Sequence, residues 1–257
     1  MRYEILGTLR IRAARTDVAV NARNMEVALA ALLIRAGEVV STAQLANEIW
    51  GERPPRRYLA AIHVYISQLR KLLTAGGPGP SPIVTRSPGY LIGLGDEGRL
   101  DVDEFQRLIR RGRVLAREDR HQEALDIFET ALGLWRGPAL GDLRAGPIVD
   151  TFVTWAEEAR LECAELRIDS ALSLGRHREL IGPLHTLVGS HPLHEAFHRQ
   201  LMMALYRSER QAEALHVYRS ARRTINEELG IEPCRSLRDL HRAILQADRR
   251  LDVPSAA

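Results

Sequence analysis

Arg57-Tyr-Leu-Ala-Ala-Ile-His-Val-Tyr-Ile-Ser-Gln-Leu-Arg-Lys-Leu-Leu73 decides how this chain is read. Leu59, Ile62, Ile66, Leu69 and Leu73 recur at spacings of three and four, the period of one buried face of an α-helix. The diametrically opposite face carries Arg57, Ala60, Val64, Ser67, Gln68 and Lys71. A merely solvated face would bring Glu and Lys together, yet no acid occurs from Arg53 to Gly95. Small, amide and basic side chains opposite a clean core stripe suit a helix laid in the major groove of double-stranded DNA.

Working outward, Ser41-Thr-Ala-Gln44 is a capping box, so a helix is expected over Thr42–Ile49, closed by Trp50-Gly51. Arg53-Pro54-Pro55 then forces a turn and starts the next helix near Arg56. Upstream, Met25, Ala28, Leu29, Leu32, Leu33 and Ala36 form another helical stripe, ended by Gly37. Before it, Tyr3–Leu6, Leu9–Arg12 and Val18–Val20 read as short strands, with a polar turn at Ala13–Asp17. Downstream, Ala75–Pro82 cannot be helical, and Ile83–Arg86, Ser87-Pro88-Gly89 and Tyr90–Ile92 form a β-hairpin with a tight tip. Three helices and a hairpin behind short strands describe a winged helix-turn-helix over residues 1–95, with a boundary at Gly93–Arg99.

Beyond that boundary the pattern is almost wholly helical and repeats itself. Glu118–Leu125, Gly175–Leu180 and Ser208–Leu215 align through His121, His177 and Gln211, at offsets of 56 and 34 residues. Thirty-four is the tetratricopeptide period, and 56 is that period with a 22-residue insertion, visible as the Gly- and Pro-rich Trp135–Pro147. Ala124-Leu125, Phe128, Ala131-Leu132 and Ala214-Leu215, Val217-Tyr218, Ala221 supply the small–large packing of paired antiparallel helices. The expected fold is therefore mainly α. An α+β winged helix is followed by an all-α tetratricopeptide-like domain over 100–250 and a tail at 251–257.

Charge agrees with this division. Residues 1–95 hold 12 Lys/Arg against 6 Asp/Glu, whereas 96–257 hold 24 against 27, which points to a polyanionic partner for the first third. No apolar run reaches the ~18 residues a membrane span needs, and the N-terminus lacks a secretory pattern, so a cytoplasmic protein without membrane contact is expected. Cys163 and Cys234 read as reduced core thiols, and Trp135 and Trp155 as core anchors. His194-Glu-Ala-Phe-His198 matches HExxH, the zinc-protease signature, and raises a remote metalloprotease alternative. It sits at a helix start, however, where Glu195 serves as a first-turn acid. No catalytic residue, metal or cofactor is expected.

Val64-Tyr-Ile-Ser-Gln-Leu-Arg-Lys-Leu72 and Val84-Thr-Arg-Ser-Pro-Gly-Tyr90 resemble the recognition helix and wing of OmpR/PhoB-type DNA-binding domains. With Trp135-Arg-Gly-Pro-Ala-Leu-Gly-Asp-Leu143, His191-Pro-Leu-His-Glu195 and Glu228-Leu-Gly-Ile-Glu-Pro233, the chain over roughly 1–250 resembles the Streptomyces antibiotic regulatory protein (SARP) family. That resemblance implies a winged helix joined to a bacterial transcriptional activation domain. It further implies an activator of antibiotic or other secondary-metabolite genes. Such an activator binds promoter direct repeats beside the −35 region as side-by-side protomers and recruits RNA polymerase through its sigma factor and core subunits. A repressor using the same DNA-binding domain is the alternative. By geometry Gln68, Ser67, Val64 and Ala60 would contact base edges, while Arg57 and Lys71 would grip phosphates; Arg70 is expected as a further contact to the DNA backbone. The resemblance adds Arg86 as a minor-groove wing residue and Thr42 and Trp50 as backbone contacts. Ser67 and Gln68 stand where the OmpR/PhoB pattern often has arginines, so the preferred base sequence does not carry over. Arg23-Asn-Met-Glu-Val27 lacks the basic start common to the first helix of the family.

Overall fold

The computed structural model describes residues 1–12, 17–20, 22–75, 80–95, 98–143 and 145–251. All but the last residue of the turn expected at Ala13–Asp17, the centre of the Ala75–Pro82 loop, part of the Gly93–Arg99 boundary and the tail from residue 252 lie outside them. In chain order the elements are β1 (Arg2–Glu4), β2 (Arg10–Arg12), β3 (Asp17–Val18), α1 (Arg23–Ile34), β4 (Val40–Ser41), α2 (Thr42–Trp50), α3 (Tyr58–Ala75), β5 (Ile83–Arg86), β6 (Gly89–Ile92) and β7 (Arg99–Leu100). They continue with α4 (Asp101–Arg117), α5 (His121–Leu132), α6 (Pro147–Ser173), α7 (His177–Ser190), α8 (Glu195–Arg207), α9 (Gln211–Leu229) and α10 (Arg235–Leu245).

By packing, the chain divides into Met1–Ile109 with Thr130–Leu161, and Arg110–Glu129 with Glu162–Ala257. The compact units therefore do not follow the 95/100 boundary drawn from the sequence. The reason lies in the first unit, where the insertion is part of the N-terminal core. Its sheet has the order β3-β2-β1-β7, with β1 antiparallel to β2 and parallel to β7, so that Arg2 pairs with Arg99. The Trp135–Leu143 segment closes on that sheet, as Arg136 N–H donates to Leu6 O and Leu140 N–H to Ile5 O, both at 2.9 Å. Trp135 is buried edge-on against Phe105, their ring centroids 5.4 Å apart.

Buried carboxylates fasten this unit. Asp101, at the start of α4, accepts from Ile5 N–H at 2.9 and 3.0 Å and from Leu6 N–H at 3.0 Å. Glu4 is 4% exposed and ringed by Arg2 (3.3 Å), Arg12 (3.5 Å) and Arg136 (3.3 Å). Unpaired, such burial would cost several kcal/mol, so the backbone donors at Asp101 and the guanidinium charges around Glu4 are what make it tolerable. Burial pushes the Asp101 carboxyl up from its ordinary value, opposed by the two backbone donors and the Arg136 charge.

The second unit is periodic. Helices α5, α7 and α9 begin at His121, His177 and Gln211, the three positions aligned in the sequence. Two residues before each start the backbone turns left-handed, at Asp119 (φ 57°), Gly175 (φ 75°) and Glu209 (φ 63°). The next N–H reaches back five residues each time: Arg120 to Leu115 O (3.0 Å), Arg176 to Ala171 O (3.0 Å) and Arg210 to Leu205 O (2.9 Å). This is a Schellman closure, which satisfies carbonyls a helix end would otherwise leave bare. After α10 it recurs, with Ala247 at φ 49° and Asp248 N–H on Ala243 O at 3.0 Å. Gly112 lets α4 and α5 close up, since a Cβ there would stand 2.5 Å from the fully buried ring of Phe128. The insertion proves to be two things, the Gly133–Gly146 connection and extra turns that make α6 a 27-residue helix.

Several expectations need correction. Cys163 is buried, its thiol pushed up to about 12 chiefly by desolvation, but Cys234 is exposed at the N-cap of α10 and is no core thiol. Trp155 is 39% exposed rather than a core anchor. The first helix ends at Ile34, short of Ala36, and β4 and β7 are strands the pattern did not announce.

Candidate DNA-binding site

α2 begins as its capping box demands. Ser41 Oγ accepts from Gln44 N–H at 3.1 Å, and Gln44 Oε1 accepts from Ser41 N–H at 2.9 Å. Gly51 (φ 62°) ends the helix, and Glu52–Arg57 run exposed to the start of α3. On α3, Ile62, Ile66, Leu69 and Leu73 are buried as expected. Leu59 is not; it is 45% exposed because it lies in the first turn beside the exposed Glu52–Arg57 connection, where nothing covers it.

The opposite face is open along its length. Ala60, Ser67, Gln68 and Lys71 are exposed and Val64 is 51% exposed, while Arg57 stands exposed just before the helix, its carbonyl accepting Ala61 N–H at 3.1 Å. His63, not singled out in the sequence, is exposed beside them. Its signal was only its position one residue before Val64.

The wing is a three-stranded sheet of order β4-β6-β5, in which Arg86 pairs with Gly89 across the Ser87-Pro88 tip. Gly89 is where the wing meets the helix-turn-helix, because a Cβ there would stand 1.9 Å from Val40 O and 2.6 Å from Ser41 Cα. Arg86 is exposed at the tip. Thr42 is half-buried; its N–H donates to Pro88 O at 3.2 Å, with its hydroxyl 3.5 Å from the same oxygen. Trp50 is also half-buried, its ring 6.2 Å from that of Tyr65, whose hydroxyl accepts from Asn24 at 3.1 Å.

Arg70 behaves differently from the DNA-backbone contact expected of it. Its Nε donates to Ile83 O at 3.0 Å and its Nη2 to Thr85 Oγ1 at 2.9 Å, and its guanidinium lies 5.8 Å from the Tyr90 ring centroid. A planar fork so engaged braces α3 against the wing. Glu48 was likewise missed. Buried on the inner face of α2, it accepts from Ile148 N–H at 2.7 Å and Val149 N–H at 3.3 Å at the N-terminus of α6. A carboxylate there meets the helix's free donors and its positive end. Desolvation nonetheless pushes the Glu48 carboxyl above its ordinary value, against those bonds. Gly146 makes room, since a Cβ there would stand 2.7 Å from Glu48 Cα. Arg23, in the first helix without a basic cluster, reaches Asp142 O at 3.3 Å.

The HExxH residues do not converge. His198 is 4% exposed with Nε2 on Pro192 O at 2.8 Å, a bond that needs the proton there and turns the nitrogen away from metal. His194 pairs with Glu165, and Glu195 accepts from Cys234 N–H at 2.7 Å. Among the described residues no group of three His, Cys, Asp or Glu is placed to hold a metal ion. Nor is any described helix long and apolar enough to cross a membrane.

Known proteins agree with this architecture. Residues 100–245 match the family described as bacterial transcriptional activator domain, and residues 16–92 that described as transcriptional regulatory protein, C terminal. The class is thus a DNA-binding transcription regulator with an N-terminal winged helix. Regulatory protein DnrI of Streptomyces peucetius is 37% identical over 268 residues, covering 100% of this chain and 98% of its own length. Regulatory protein AfsR of Streptomyces coelicolor is 38% identical over the whole chain, which spans only 25% of that larger protein. The solved structure of Mycobacterium tuberculosis EmbR in complex with a low-affinity phosphopeptide superposes with a TM-score of 0.91 at 32% identity, over 99% of this chain and 66% of that one. The chain belongs to the Streptomyces antibiotic regulatory protein family.

Proposed function

We propose that the protein activates transcription of a secondary-metabolite gene cluster from the cytoplasm, binding promoter direct repeats near the −35 region and recruiting RNA polymerase. The observation that carries the reading is the open face of α3, where Ala60, Val64, Ser67, Gln68 and Lys71 stand exposed opposite four buried apolar residues. Gln68 and Ser67 hydrogen-bond base edges, Gln favouring adenine, and Val64 and Ala60 meet thymine methyls. Arg57 and Lys71 grip phosphates at the two ends, Arg86 enters the minor groove from the wing, and Thr42 and Trp50 lie against the backbone. Arg70 serves this surface by holding wing and helix together. In this reading residues 1–95 carry DNA recognition and 100–250 the contacts with the sigma factor and polymerase core, with protomers side by side on the repeats.

The test uses the full chain, because removing residues after 95 would strip Asp101, Arg136 and Leu140 from the N-terminal sheet. Footprinting on promoters near its own gene locates the operator, and run-off transcription with purified polymerase follows. Activation predicts more transcript when the repeats are occupied. A fall in transcript on the same template contradicts activation and assigns repression by occlusion.

A further inference from the structure

α9 and α10 enclose an open cleft of about 440 Å³ on the second unit, remote in sequence from every residue assigned to DNA. Its lining includes an aromatic pair, Tyr218 and His241, stacked with ring centroids 3.9 Å apart and planes 12° from parallel. Its wall is one face of α9, where Arg219, Arg222, Arg223 and Asn226 recur at helical spacing. The one carboxylate lining it, Glu232, is engaged by Arg222 in a two-pronged pair at 2.8 and 2.8 Å. Among the described residues, Arg219 and Arg223 have no carboxylate within ion-pair distance. Three guanidiniums against one carboxylate leave two positive charges in excess beside the aromatic pair.

We infer that this cleft binds a phosphate-bearing small molecule, with Arg219 and Arg223 as its principal ligands and Asn226 as a further donor. Guanidinium forks match phosphate oxygens two at a time, and a dianionic group balances the excess charge. Arg222 is already neutralised by Glu232 and serves as a fixed edge. The His241 ring supports the same reading, since burial and then the Arg219 and Arg222 charges hold it below its ordinary histidine value. A bound dianion would offset those two charges and raise the imidazole again. The site goes beyond the proposed DNA function and does not depend on it.

The experiment is calorimetric titration of the full chain with inorganic phosphate, pyrophosphate and ATP, each against sodium chloride of matched ionic strength. The His241 ring proton is followed by NMR in the same titrations. The expected result is one saturable site per chain with the His241 resonance moving as it fills. Binding should weaken ~tenfold or more in Arg219→Gln/Arg223→Gln, two exposed substitutions that leave promoter binding unchanged. Tighter binding of ATP than of pyrophosphate assigns a nucleotide; equal binding assigns the free anion. An Arg57→Gln/Lys71→Gln chain separates phosphate held by the DNA-binding face. Loss of binding in that variant alone, binding that survives Arg219→Gln/Arg223→Gln, or a His241 signal indifferent to pyrophosphate overturns the inference.

Discussion

The two units are held together in different ways. The second repeats one device: a left-handed residue, a five-residue backward hydrogen bond and a new helix start, at Asp119/His121, Gly175/His177 and Glu209/Gln211. The first depends on single, unrepeated contacts, namely Asp101 on the Ile5 and Leu6 amides, Glu48 on the α6 N-terminus, Arg70 on the wing and Gly89 against Val40. A periodic unit spreads its stability over many similar interfaces. A unit fastened by unique contacts holds a reading head in one geometry and fails at identifiable points. The recognition face is thus carried by the less redundant half.

The hardest blow should fall at Gly89. Gly89→Ala puts a methyl 1.9 Å from Val40 O, so β6 must move off β4. A loss of about 3 kcal/mol, read by urea unfolding, and loss of the operator footprint are expected. Asp101→Ala comes next, leaving the Ile5 and Leu6 amides without their acceptor. About 2 kcal/mol should be lost, with amide exchange accelerated at Ile5 and Leu6 but not in α8 or α9. The repeat device gives a smaller effect of opposite sign. Glu209→Gly supplies at φ 63° the residue that Gly175 already provides in its own repeat, and should raise stability by about 0.5–1 kcal/mol. A fall would show that the three turns are not equivalent. Smallest of all, Cys234 should react with a thiol reagent in the folded chain while Cys163, buried and pushed up to about 12, should not.

Legibility in the sequence followed the same divide. Ser41 and Gln44 announced α2 because a capping box is written within four residues. The starts of α5, α7 and α9 were readable because the same turn was written three times. What escaped was non-local. Glu48 looks like any polar residue on α2, and its partner Ile148 lies 100 residues away. β7 is two residues long and finds its partner at the opposite end of the unit. Arg70 is expected among the residues that contact the DNA backbone, and only the wing's position reveals that its donors are engaged. Leu59 kept the apolar period but has no neighbour to cover it. Of the expected interface, Ala60, Val64, Ser67, Gln68 and Lys71 emerge exposed because a helix stripe fixes its own opposite face, while Arg57 is exposed just before the helix and Arg86 at the wing tip.

The central claim is that this exposed face of α3 reads DNA sequence while its ends supply grip. The direct test measures operator and non-operator affinities of Gln68→Ala and Lys71→Ala across a salt series. Gln68→Ala should narrow the gap between the two DNAs by about 1–3 kcal/mol at an unchanged salt slope. Lys71→Ala should weaken binding to both alike and reduce the slope by about one. A Gln68→Ala chain with the same footprint and the same discrimination as the parent contradicts the claim.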